Sequence, residues 1–145
     1  MPKKDSIILL MKDDHGKIKL LVKKLEMQYL VSPGQTGKCF SDLMSELEKH
    51  FMVEEKAIFD LLDEATPRCY DMMTRLLQEH NHISSLMKDI KRCIRRKDLP
   101  PFEDLAYALN RHREFEDRSF YPVLEKELDS ARKREMIIGI KGRIR

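Results

Sequence analysis

Glycine and proline are scarce, five and six among 145 residues. A chain so poor in both and so rich in Leu, Lys, Glu and Met favours an all-helical protein. Cysteine is scarcer still. Cys39, Cys69 and Cys93 are odd in number, widely spaced and free of any C-x-x-C pattern. That excludes a disulfide frame and a zinc knuckle, and it reads as reduced thiols in a cytoplasmic protein. Long apolar runs are missing too. Ile7–Met11 spans five residues, short of a signal-peptide core and far from the ~20 residues of a membrane helix. One-signed charge is also lacking. The formal net charge of +3 is too small to argue for nucleic acid, and residues 131–145 alone carry six Lys/Arg against one Glu.

What the chain does have is a stretch written twice. Leu47–Leu62 reads LEKHFMVEEKAIFDLL, and Leu109–Leu124 reads LNRHREFEDRSFYPVL. Without a gap, His50 falls on His112, Glu54 on Glu116 and Phe59 on Tyr121. Both copies carry His-x-x-x-Glu, which on an α-helix sets imidazole and carboxylate one turn apart on the same face.

Four helices follow from the apolar rhythm. The first starts near Asp5 or Ser6, runs to about Val31, and has a seam of Ile8, Met11, His15, Ile18, Val22, Leu25 and Tyr29. The alternating steps of three and four mark a bundle seam. After the loop Ser32–Gly37 a second helix spans about Lys38–Glu64, with Phe40, Leu43, Leu47, His50, Glu54, Ala57 and Leu61 in its seam. Thr66-Pro67 is a cap followed by proline at the first helical position. The third helix starts there, with His80 among its seam residues, and ends before Pro100-Pro101. The fourth places His112 and Glu116 in its seam, with a kink expected near Arg118–Tyr121 because Pro122 clashes one turn back. A short fifth helix over Ala131–Ile140 is capped by Asp129 or Ser130, and Gly139 and Gly142 are expected to weaken the tail. Short connections make this an antiparallel up-down-up-down bundle over residues 1–130, with a basic C-terminal extension over 131–145.

Six seam positions are therefore ionisable: His15, His50, Glu54, His80, His112 and Glu116. A lone seam histidine is more often a hydrogen-bonded core residue than a ligand. Six in register across four helices are another matter. Two buried carboxylates beside four imidazoles need positive charge, and a pair of bound cations supplies it. Six N/O ligands exceed one tetrahedral zinc. Imidazole with bridging carboxylate suits iron, with manganese or zinc as alternatives. His82, about 200° around the helix from His80, should face outward. Glu55 and Asp117 lie one step off the seam, with Asp117 five residues from His112 and within reach if the helix bends at Pro122. Glu79 is placed to orient His80 or touch a bound ligand, and Asp14 to do the same for His15.

The order His15 … His50-Phe-Met-Val-Glu54-Glu55 … Glu79-His80-Asn-His-Ile83 … His112-Arg-Glu-Phe-Glu116-Asp117 … Phe120-Tyr-Pro122 resembles the hemerythrin-like, or HHE cation-binding, domain family. The resemblance spans about Asp13–Glu125. It implies a non-haem di-iron centre with an oxo or hydroxo bridge. His15 and His50 would serve one iron, His80 and His112 the other, and Glu54 and Glu116 would bridge them. It also implies an apolar ligand pocket at Ile18, Phe51 and Leu109. The oxygen carriers of the family have a fifth histidine where this chain has Leu76, so both irons would keep an exchangeable position beside it. The expected activity is binding of O2 or NO for sensing, scavenging or storage. The alternatives are redox turnover of NO or peroxide, and repair of damaged iron centres. A third possibility is an interaction module that uses the basic tail and the basic end of the third helix.

Overall fold

The computed structural model describes residues 6–63 and 66–143. The expected helix limits at Asp5 and Glu64 lie outside the described residues. Helix α1 runs Ile7–Val31, α2 Gly37–Val53, α3 Pro67–Arg96 and α4 Phe102–Phe115. The last continues into α5, Tyr121–Glu127, and α6 covers Ser130–Arg143. No strand occurs among the described residues, and no helix there is long and apolar enough to cross a membrane.

The termini are secured by named groups. Ser6 caps α1 by accepting from the Leu9 amide, and the Ile7 amide donates to Glu125 Oε1 at 2.9 Å. The Tyr29 hydroxyl donates to the Asp98 carbonyl at 2.6 Å, tying the end of α1 to the loop after α3. Thr66 precedes Pro67 as expected, but its hydroxyl bonds back to Asp63 instead of capping α3. Helix α3 stops at Lys97, whose φ of 61° is left-handed, with the Asp98 amide bonded to the Cys93 carbonyl. Such a reversal satisfies the last carbonyls of a helix.

Two separate apolar clusters establish the helix directions. One joins the start of α1 (Ile7, Met11) and the start of α3 (Cys69, Met73, Leu76) to the ends of the second and fourth helices (Val53, Phe59; Phe120, Leu124). The other joins the later parts of α1 and α3 (Ile18, Val22; Ile83, Ile90) to the early parts of α2 and α4 (Leu43, Leu47; Leu105). Beginnings meet ends, so the bundle is antiparallel. Between the two clusters lies one polar layer, and it contains all six ionisable seam residues.

Both copies of the repeated stretch depart from α-geometry at the same place. Glu54–Ile58 and Glu116–Phe120 each form a π turn. The Phe59 amide reaches the Glu54 carbonyl, and the Tyr121 amide reaches that of Glu116. A kink was expected in the second copy from Pro122. The first copy has Asp60 in the matching position and forms the same turn, so proline is not the shared cause. Such turns frequently mark functional sites inside helices.

The C-terminal segment is helical through Gly139 and Gly142 to Arg143, where weakening was expected. Tertiary packing overrides the local propensity. Met136 and Ile140 are fully buried in the first cluster, and α6 lies against the π turn 54–58. Arg132 pairs with Asp63 at 2.9 Å, and the Lys133 ammonium donates to the Glu125 carbonyl at 3.0 Å. Gly139 permits the close approach, since a Cβ there would stand 3.1 Å from the Ala57 Cβ. Gly139→Leu should therefore cost roughly 1–3 kcal/mol by overpacking. Gly16 is exposed in α1 with nothing within 4 Å of an added Cβ, so Gly16→Ala should gain about 0.5–1 kcal/mol. Urea midpoints of the two variants should move in opposite directions.

Candidate metal centre

Glu54 and Glu116 are wholly buried, and each turns one oxygen toward several imidazoles. Glu54 Oε1 lies 3.1 Å from His80 Nε2, 3.2 Å from His50 Nε2 and 3.6 Å from His112 Nε2. Glu116 Oε1 lies 2.9 Å from His15 Nε2, 3.4 Å from His112 Nε2 and 3.7 Å from His50 Nε2. All four Nε2 atoms thus converge on two carboxylate oxygens. His50, Glu54, His112 and Glu116 each offer a ligand atom within 4.8 Å of the others. His15 and His80 extend this group, one at each carboxylate.

The imidazoles fall into two matched pairs. His15 and His50 have ring centroids 4.9 Å apart at 63°, and His80 and His112 have theirs 5.0 Å apart at 63°. The duplication in the sequence is thereby repeated in the geometry of the site.

A second set of carboxylates faces the opposite ring nitrogens. His50 Nδ1 is 2.9 Å from Asp14, His80 Nδ1 3.1 Å from Glu55 and His112 Nδ1 2.8 Å from Glu79, all in hydrogen-bond geometry. His15 Nδ1 is 3.2 Å from Asp117 Oδ1 without that alignment, and neither atom has a hydrogen-bond partner. These partners follow the duplication as well, because His15–Asp117 corresponds to His80–Glu55 and His50–Asp14 to His112–Glu79. A proton donated from Nδ1 leaves the Nε2 lone pair free to face a metal.

Several expectations change here. Asp14 serves His50 on α2 and not His15, because it lies about 100° around α1 on the flank toward that helix. Glu79 serves His112 and not His80 for the same reason. Glu55 and Asp117, expected off the site, stand in the π turns, where each pair of consecutive acids flanks one imidazole from both sides, Glu54 and Glu55 about His80 and Glu116 and Asp117 about His15. His82 is exposed, as its angle predicted. Tyr121 went unnoticed as a site residue. Fully buried, it donates its hydroxyl to Glu54 Oε2 at 3.0 Å. Its signals in the sequence were its place in the Phe120-Tyr-Pro122 run and its alignment with Phe59, which has no hydroxyl to offer Glu116.

A cavity of about 440 Å³ reaches His15, His50 and His112 from between α1 and α4. Ile18, Phe51 and Leu109 line it. Leu76 does not, contrary to expectation. It is fully buried in the first apolar cluster, beyond the polar layer from this cavity.

The residues fit bound cations. His50 Nε2, His112 Nε2 and Glu116 Oε2 are buried without hydrogen-bond partners, an expensive arrangement unless something else satisfies them. Six carboxylates surround four imidazoles, so positive charge is in demand at the centre.

Fold and layer together define a helical bundle with a candidate histidine–carboxylate cation site in its core. The model of the hemerythrin HHE cation binding domain matches residues 6–124, and the chain belongs to that family. Comparison with curated proteins and with solved structures gives no match. The matched residues end before α6, which begins at Ser130.

The protonation balance gives a test on protein stripped of metal by a chelator. Burial opposes charge on His50, but the Glu54 carboxylate and the Asp14 hydrogen bond outweigh it and push its pKa from 6.5 to about 9. His112 also shifts upward, burial being outweighed by Glu54 and Glu79. Glu54 is held well below its ordinary 4.5, because His50, His112 and His80 outweigh the burial that would raise it. A raised histidine stabilises fully below its unfolded pKa, and that gain is lost as pH climbs through the folded value. A depressed carboxylate stabilises above its unfolded pKa and loses the gain in acid. Stability of the stripped protein should therefore peak between about pH 4.5 and 6.5 and fall steadily toward pH 9. Thermal melts across this range would show it, and a flat profile above pH 6.5 would contradict the assignment.

Proposed function

We propose that the chain is a hemerythrin-like non-haem di-iron protein that binds O2 or NO for sensing, scavenging or storage. The observation that carries this reading is the pair of matched imidazole couples with two buried carboxylates between them. His15 and His50 would hold one iron, His80 and His112 the other. Glu54 and Glu116 would bridge them, alongside an oxo or hydroxo group. When bound, the iron pair supplies electrons and coordination positions for a diatomic ligand.

The protein's own residues prepare the site. Asp14, Glu55 and Glu79 hold three imidazoles in the ligating orientation through Nδ1. Tyr121 engages the second oxygen of Glu54, leaving Oε1 for the centre. Ile18, Phe51 and Leu109 give the approach to His15, His50 and His112 an apolar lining. Helical placement of every ligand keeps the geometry rigid.

The open cavity favours a second reading, a redox enzyme acting on NO or peroxide or repairing iron centres. The cavity gives reactants a route to His15, His50 and His112. Steady consumption of NO or hydrogen peroxide with a reductant would favour this reading. Stoichiometric binding without turnover would favour the first.

Protein from iron-replete expression should hold about two irons per chain. It should show near-ultraviolet oxo-bridge absorption that changes with azide, peroxide or O2. His50→Ala and Glu54→Ala should lose at least half of the metal, a loss of the order expected when a buried ligand set is broken. Exposed His82 gives the control, and His82→Ala should keep full iron. Retention of iron by Glu54→Ala, or its loss in His82→Ala, would overturn the ligand set.

A further inference from the structure

The α1–α4 cavity is far larger than a diatomic ligand requires. Its volume is about 440 Å³, while a water molecule, comparable to O2 or NO, takes up about 30 Å³ of liquid. Clefts of several hundred Å³ are the size that holds organic ligands. This one is also elongated. From His15 to Glu26 on α1 and from His112 back to Ala106 on α4, its lining spans on the order of 10–16 Å along the helices. Such a slot suits an extended chain better than a compact ring.

Its walls and lips differ in chemistry. Ile18, Val22, Leu47, Phe51 and Leu109 make the inside apolar. Lys19, Lys23 and Arg113 stand on the lip, opposed by Glu26 alone. Their order is asymmetric. Lys19 and Arg113 sit within a turn of His15 and His112, Lys23 one turn farther along, and Glu26 at the far end. Arg113 is 4.0 Å from Asp117 and bonds Asn110, which leaves the two lysines as the freer cations. Among the lip side chains, charge is therefore positive toward the imidazole end and negative at the other.

We propose that this cavity binds a medium-chain amphiphile with a carboxylate head, of the fatty-acid class. The head lies near Lys19 and Lys23, and the chain runs along Val22 and Leu47 toward Glu26. The inference rests on the metal-site reading for what lies at the cavity's inner end, but the apolar walls and the lip bind the amphiphile without metal. An occupied cavity would block the way of small ligands to His15, His50 and His112.

Calorimetric titration with sodium decanoate tests this, on iron-loaded and on chelator-stripped protein. Decanoate should bind both forms, at least about tenfold tighter than decanol or decyltrimethylammonium, because only its head is paired. Lys19→Glu combined with Lys23→Glu should weaken decanoate by roughly tenfold and favour the cationic analogue. Leu109→Trp, checked for folding by circular dichroism, should abolish binding of all three by filling the slot. On iron-loaded protein decanoate should also slow azide binding. Equal binding of the three heads, no effect of the charge reversals, unchanged binding to Leu109→Trp, or no decanoate binding by iron-loaded protein would each overturn the proposal. Protein that takes up no iron yet binds decanoate in this pattern would instead overturn the di-iron reading and uphold the cavity's ligand.

Discussion

Two carboxylates with no access to water, Glu54 and Glu116, impose the constraint around which this bundle is built. Enclosing an ionised carboxylate costs several kcal/mol even after relaxation, and only close positive charge with good geometry offsets it. Burial opposes charge on His50 and His112, but the carboxylates around them outweigh it, and the pKa of His50 rises to about 9. Protons and cations thus compete for the same Nε2 atoms. The interior is consequently divided in two, an apolar cluster on either side of one polar layer. Each cluster anchors a different end of the four bundle helices, so the layer is clamped from both directions.

The site is nearly two-fold symmetric, and its departures from symmetry are informative. Tyr121 engages the second oxygen of Glu54, whereas Phe59, its counterpart, offers Glu116 nothing, and Glu116 Oε2 is left without a partner. The two carboxylates are therefore inequivalent, and Glu116 has the freer oxygen. Access is one-sided as well. The cavity touches His15, His50 and His112 but not His80, which stacks on Phe51 at 4.0 Å and lies parallel to Phe59 at 5.8 Å. Of the four imidazoles, His80 is the one set away from this cavity, against two aromatic rings.

The helices, their antiparallel order and the six inward ionisable residues were legible because each follows from one rule. A residue on the seam of a regular helix faces the core. Reading failed wherever the helix stopped being regular or the partner lay on another helix. Glu55 and Asp117 are off the seam by α-helical angles and reach the site through π turns. Asp14 and Glu79 were rightly placed near it, but which imidazole each meets depends on how neighbouring helices are rotated. Gly139 looked like a weak point and is a contact point, because its missing side chain lets α6 reach Ala57. Leu76 lies in the seam one turn from His80, yet the cavity approaches from the opposite apolar cluster.

Each π turn carries two consecutive acids to the site. The first points a buried carboxylate toward the bundle axis, and the second meets the far nitrogen of an imidazole on another helix. On the regular helices α1 and α3 the residue before each imidazole, Asp14 or Glu79, does the same for His50 and His112. Glu54 faces His50, His80 and His112 while Glu55 meets His80 from behind, and Glu116 and Asp117 repeat the arrangement around His15. Helix α6 packs on the first of these turns with Met136 and Ile140. An irregularity that would cost a free-standing helix is thereby held in place by the segment lying outside the family match.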